Sequence, residues 1–162
     1  MSRAQLIAVV LGLGALALLL GALGFQYFAG LPPCELCLWQ RWPHAGAAVV
    51  GLGGPLLIQL GLIERGAARG VGLLAALLIA VSGAVGLYHA GVEWHWWPGP
   101  QTCTGAAFRY TAGPLNLNTP TVLCDIAAWR LFGLSLAGYN ALVSFAIAGA
   151  GAILLMRSGR KS

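Results

Sequence analysis

The sequence predicts an all-α integral membrane protein: an antiparallel bundle of four transmembrane helices with two loops on its outer face. Three observations carry this. The 162 residues are 59% hydrophobic and only 8% charged, whereas soluble domains carry about 25% charged residues. Four apolar runs, at 6–28, 45–63, 71–88 and 131–156, match the roughly 20 residues of helix that span a bilayer. The runs are rich in Leu, Ala and Gly and lack the alternation of a barrel strand. The chain reads as one membrane domain over residues 1–162.

Charge then orients the bundle. The net charge of +5 comes without a basic stripe interleaved with aromatics, which excludes a nucleic-acid surface. Arg3, Arg65, Arg69, Arg157, Arg160 and Lys161 fall on one side of the predicted bundle, and Arg41, Arg109 and Arg130 on the other. By the positive-inside rule both termini and the turn at 64–70 are cytoplasmic, and the loops at 29–44 and 90–130 face outward.

The elements follow in order. The first run exceeds the 7–15 apolar residues of a signal peptide and has no small-residue cleavage site, so it reads as a retained helix. The tight turn after the second run makes helices two and three antiparallel neighbours. Helix three carries small residues at every fourth position, Gly72, Ala76, Ala80 and Ala84, and helix four carries Gly133, Ala137 and Ala141; such stripes let backbones approach closely in lipid. Trp94, Trp96 and Trp97 mark the level where helix three leaves the membrane. The rest of that loop, with Gly105, Gly113, Pro114, Asn116, Asn118 and Pro120, is turn-forming and shows no amphipathic helix.

All four cysteines fall in the two outer loops, the oxidising face. Cys34 and Cys37 form a C-x-x-C directly after Pro32 and Pro33, residues suited to a helix start. The helix dipole there stabilises a thiolate. So short a loop gains little from chain entropy, which makes this pair a poor staple. Cys103 and Cys124 admit two readings: a structural disulfide worth about 3 kcal/mol, or the entry disulfide that a soluble partner attacks. A zinc site would need His89 or His95 added to cysteines without paired knuckle spacing, so no metal is expected. Arg41 lies one helical turn after Cys37 on the same face, where its cation lowers a thiolate pKa or holds an acceptor oxygen; the bland reading is snorkelling to lipid phosphate. Glu35 either opposes the thiolate or pairs with Arg41. His89 ends helix three and supplies a hydrogen bond or proton. His44 and His95 carry weaker signals, and Asn140 inside helix four reads as a helix-to-helix hydrogen bond.

A C-x-x-C opening helix two, Arg four residues on, His closing helix three, a second Cys pair before helix four and the segment CDIAAWRLFGLSLAGYN together resemble the DsbB family of bacterial inner-membrane disulfide bond formation proteins. The resemblance covers nearly the whole chain. It implies a thiol:quinone oxidoreductase that reoxidises a periplasmic thioredoxin-fold dithiol oxidase of the DsbA kind. It makes Cys34, Cys37, Cys103 and Cys124 catalytic, and it places Cys37, Arg41 and His89 at a quinone, ubiquinone first and menaquinone as the alternative. It also implies an order of attack, from the partner to Cys103, from Cys124 to Cys34, and from Cys37 to the quinone, with Trp129 as an interfacial anchor. Two other readings compete. Vitamin K epoxide reductase-like proteins couple a C-x-x-C to quinone in a four-helix bundle, but on a late helix. A non-enzymatic tetraspan protein would hold the same cysteines as structural disulfides.

Overall fold

The computed structural model describes residues 1–104 and 122–158. The turn formers from Gly105 to Pro120, with Arg109, lie outside the described residues, as do Arg160 and Lys161. Among the described residues there are four long helices: α1 (Arg3–Tyr27), α2 (Glu35–Gln59), α3 (Ala68–Glu93) and α4 (Leu136–Ser158). A single 3-10 turn at Arg65–Ala67 leads into α3. Among the described residues, α1, α3 with its leading turn, and α4 are long and apolar enough to cross a membrane. The remaining long helix, α2, has 25 residues, but its first turns carry Glu35, Gln40, Arg41 and His44; its apolar part begins at Ala45.

Local chemistry sets the ends. Ser2 caps α1 through a capping box, its hydroxyl accepting from the Gln5 N–H while Gln5 Oε1 accepts from the Ser2 N–H. Cys34 is the N-cap of α2, its sulfur accepting from the Cys37 N–H at 3.2 Å. Ser135 Oγ accepts from the Gly138 N–H at 3.2 Å at the start of α4.

Three expectations are corrected. Helix two opens at the C-x-x-C, from Glu35, as read; the correction is to the outer loop at 29–44, of which residues 35–44 are helix with Pro43 inside it. Helix four starts at Leu136, because residues 130–135 form a small hairpin, β1 (Arg130–Leu131) paired antiparallel with β2 (Leu134–Ser135). Phe132 and Gly133 both have positive φ, 49° and 81°, the two-residue turn that matches strand twist. Gly133 is therefore a turn residue rather than part of a helix stripe. On α3 the every-fourth stripe drifts off the interface, since four residues turn a helix by about 400°. Gly72 and Ala76 are buried, Ala84 is exposed, and the contact passes instead to Ile79, Gly83 and Gly86.

α1 packs on α2, α2 on α3, and α3 on α4, and α1 also touches α3 and α4. The interior is made of small residues: Ala15, Ala47, Ala75, Ala76 and Ala148 surround Leu11, Ile79 and Leu155. Leu6, Val10, Leu13, Leu56, Leu77 and Leu154 point outward, as expected where lipid is as apolar as the core. Close backbone approach replaces hydrophobic burial. A Cβ on Gly51 would lie 2.7 Å from Gly12 Cα and from the Ala8 carbonyl oxygen.

Candidate functional site

One end of the bundle gathers the chemistry. Cys34, Leu36, Val92, Cys103 and Cys124 form one buried cluster, with Cys37 and Val122 packed on it. The start of α2, the end of α3 and the loop before α4 thus bring both cysteine pairs into contact. Cys103 and Cys124 are joined as a disulfide with Cα atoms 5.3 Å apart. Cys34 and Cys37 are thiols with their sulfurs 2.7 Å apart. Cys34, Cys37 and His89 offer ligand atoms within 4.8 Å of one another, three where a structural zinc site takes four.

The two thiols are inequivalent. The hydrogen bond with Cys37 pushes the Cys34 thiol far above its usual range, and burial adds to this. The same hydrogen bond holds Cys37 below the ordinary cysteine range, opposed by burial and helped by the Cys34–Cys37 backbone contact and, last, by Arg41. The proton between them is shared unequally, held by Cys34 in preference to Cys37. The helix N-terminus supports a thiolate charge there.

The surrounding groups are fixed by named partners. His89 Nε2 lies 3.5 Å from Cys34 Sγ and 3.6 Å from Glu93 Oε1. Gln40 Nε2 lies 3.0 Å from His89 Nδ1. Arg41 Nη1 donates to Gln26 Oε1 on α1 at 2.6 Å, so the guanidinium is held on the same side of α2 as Cys37. Glu35 does not pair with Arg41; it accepts from the Thr102 hydroxyl, tying the C-x-x-C to the residue before Cys103. The Cys124 N–H donates to the Cys103 carbonyl at 2.6 Å. Trp129 packs against Phe25 and Tyr139, with ring centroids 5.5 and 6.2 Å away. The Trp94–Trp97 segment stacks on itself and on Tyr88, and Trp97 Nε1 donates to the Tyr88 carbonyl at 2.8 Å.

Beside Cys37 lies a cavity of about 270 Å³ between α1, α2 and α4. Leu18, Ala22, Phe25 and Val143 give it apolar walls, and Cys37, Gln40, Arg41, His44, His89 and Asn140 give it a polar edge. Arg41 Nε and His44 Nδ1 are buried there without a hydrogen-bond partner among the described residues. An apolar pocket with a few convergent polar groups fits a flat, lipid-soluble ring bearing oxygens.

The sequence singled out Cys34, Cys37, Arg41, His89, Cys103 and Cys124, and the fold brings all six to this one end. It did not single out Gln26, Gln40, Glu93 or Thr102. Gln40 carried a signal, three residues after Cys37 on a helical face, but Gln26 and Thr102 become partners only through tertiary contact.

Comparison with known proteins gives one answer. The family model described as disulfide bond formation protein DsbB matches residues 4–154. The chain is 31% identical to disulfide bond formation protein B of Azoarcus sp. strain BH72, over 86% of this chain and 82% of that protein. The Haemophilus influenzae protein of the same name is 31% identical over 83% of this chain and 76% of its own length, and that of Verminephrobacter eiseniae is 28% identical over 94% and 86%. No solved structure matches the chain. With its helical membrane bundle and its paired cysteines, the chain belongs to the DsbB family of disulfide-forming oxidoreductases.

Proposed function

We propose that this protein reoxidises a thioredoxin-fold dithiol oxidase of the DsbA kind and passes the electrons to a membrane quinone, ubiquinone first and menaquinone as the alternative. The observation that carries the reading is the single buried cluster shared by both cysteine pairs. A disulfide can only be handed between couples whose sulfurs meet.

The steps follow from the chain's own atoms. A thiolate of the partner attacks Cys103 Sγ, the Cys103–Cys124 bond breaks, and Cys124 leaves as a thiolate. The second partner thiolate then attacks the partner sulfur of this mixed disulfide, Cys103 leaves as a thiolate, and the partner is released oxidised. The reduced loop pair is renewed when Cys124 attacks Cys34 in the Cys34–Cys37 disulfide. Cys37 leaves as a thiolate, a charge that Arg41 and the N-terminal end of α2 favour, and Cys103 resolves the mixed bond. A quinone in the cavity would supply the sink for two electrons and two protons as Cys34–Cys37 re-forms. Arg41 would hold a ring oxygen and support the Cys37 charge, His89 would stand at the ring's edge with Nε2 toward Cys34, and the apolar walls would exclude water. Each 30 mV between donor and acceptor is about 1.4 kcal/mol, so a modest gap drives the relay one way.

Sidedness follows from charge. Arg3, Arg65, Arg69 and Arg157 lie at the bundle end opposite the cysteines, which supports a cytoplasmic face there and a periplasmic face for the cysteine loops, in the inner membrane with both termini inside. The proposal is tested with purified protein, a reduced thioredoxin-fold partner and a short-chain quinone. Turnover is expected, and Cys37→Ser or Cys103→Ser abolishes it. Undiminished turnover in either variant, or none in the parent, refutes the relay.

A further inference from the structure

We infer that His44 is a contact for the reduced ring in the cavity: its Nδ1 accepts a hydrogen bond from a hydroxyl of the hydroquinone, a bond the oxidised ring has no hydrogen to make. The inference rests on the quinone reading of the cavity. Cys37, Arg41 and His44 occupy positions i, i+4 and i+7 of α2, one helical face, and all three line the cavity. The imidazole is 4% exposed, and Nδ1 has no partner among the described residues. A buried polar atom left without a hydrogen bond is costly, and a ligand that meets it removes the cost.

The proton on His44 is assigned by following groups that can act only one way. The Asn140 side-chain nitrogen lies 3.2 Å from the Ser82 carbonyl oxygen, which only accepts. That fixes the amide, so Asn140 Oδ1 faces His44 Nε2 at 2.9 Å and also accepts from the Ser144 hydroxyl at 3.0 Å. An amide oxygen cannot donate, so Nε2 carries the hydrogen and Nδ1 of the neutral ring is a bare acceptor. Gln40 obeys the same logic. Its nitrogen donates to the Leu36 carbonyl at 3.1 Å, its Oε1 accepts from Asn140 at 2.8 Å, and its hydrogens therefore face His89 Nδ1. His89 is left with Nε2–H toward Cys34. The two imidazoles thus have opposite character: His89 is a donor beside sulfur, and His44 an acceptor beside the cavity.

This asymmetry has a consequence for the reaction. Cys34 and Cys37 together give up two electrons and the proton that Cys34 holds as their disulfide forms, and the ring takes these up with a second proton from water, turning two carbonyl oxygens into hydroxyls. A site with a fixed acceptor binds that product form better than the substrate form. By linkage, tighter binding of the reduced ring makes the bound ring easier to reduce. His44 thereby favours electron flow out of the thiols without touching sulfur.

The test measures binding in a Cys37→Ser background, where the ring is not turned over. Dissociation constants are taken for a short-chain substituted 1,4-benzoquinone and for its hydroquinone. His44→Leu is expected to weaken hydroquinone binding roughly fivefold, the worth of one neutral hydrogen bond, and to leave quinone binding unchanged. His44→Gln restores it, since its amide N–H serves Asn140 while its oxygen accepts. Equal loss for both ring forms, or loss for neither, overturns the inference while leaving the cavity reading intact. If His44→Leu does not fold, ¹⁵N spectra of histidine-labelled Cys37→Ser protein decide. Nδ1 of His44 should be unprotonated in the free protein and should shift toward the protonated side with hydroquinone only. A protonated Nδ1, or the same response to both rings, overturns the inference. If neither ring form binds the Cys37→Ser protein, the cavity reading fails and His44's role with it.

Discussion

The two ends of this bundle are held by different means. Away from the cysteines the joints are close packing: the Gly12 and Gly51 backbones meet, a Cβ on Gly72 would lie 2.9 Å from the Leu155 side chain, and one on Gly151 would lie 2.6 Å from the Leu11 side chain. At the cysteine end the helices are joined by polar side chains, His44 to Asn140, Asn140 to Gln40, Gln40 to His89 and His89 to Cys34. Close packing needs no chemistry and gives a rigid frame. Hydrogen bonds orient dipoles, and orientation is what a thiolate, an imidazole and a ring oxygen require. The comparison teaches a division of labour: small residues fix where the helices sit, and the polar chain fixes which atom carries each proton.

Breaking the packed end should produce the largest effect. In Gly51→Leu the new side chain meets Gly12 Cα and the Ala8 carbonyl, which are backbone and cannot swing aside. A loss of about 3 kcal/mol is expected for such overpacking, read from equilibrium unfolding in mixed micelles. Unchanged stability would show that α1 is not held against α2 as described.

At the polar end the effects are functional. Arg41→Ala removes a charged hydrogen-bond donor, and the apparent KM for quinone should rise about 10- to 100-fold, the equivalent of roughly 1.5–3 kcal/mol. Single-turnover oxidation of the partner by the loop disulfide should not change. A variant with the parent's rate at every quinone concentration would remove Arg41 from the acceptor site.

The smallest effect sharpens the comparison inside the C-x-x-C itself. Cys37 is held below the ordinary thiol range and Cys34 above it. A lowered pKa keeps the thiolate populated as pH falls. Alkylation of reduced protein should therefore label Cys37 at pH values well under the usual 8.5, and Cys34 should stay unlabelled until well above it. Preferential labelling of Cys34 at low pH would reverse the assignment.

Much of the site was legible because its signals are local. Pro32 and Pro33 announce a helix start, and Cys34 does cap it; His89 lies one turn before the end of α3. The C-x-x-C marked the start of α2, but residues 35–44 also read as outer loop, because the apolar run that matches a membrane span begins only at Ala45. The hairpin at 130–135 was hidden because Phe132-Gly133 lacks the Asn-Gly or Asp-Gly pattern, and its apolar residues continue the run of α4. Asn140 could be read as an inter-helix contact, but not that it would join His44, Gln40 and Ser82 at once. Those partners are 96, 100 and 58 residues away in sequence, and no local pattern encodes such a meeting. Every-fourth small residues located one face of α3 only for its first two turns, because the helix repeat is 3.6 and not 4.

The central claim is that the loop couple and the helix couple exchange a disulfide directly within one cluster. Its most direct measurement uses protein with Cys37→Ser and Cys103→Ser together, gently oxidised and digested without reductant. The account predicts a Cys34–Cys124 disulfide as the main cysteine product by mass spectrometry. Recovery of both residues as free thiols, under oxidant that joins Cys103 to Cys124 in the parent, would contradict it.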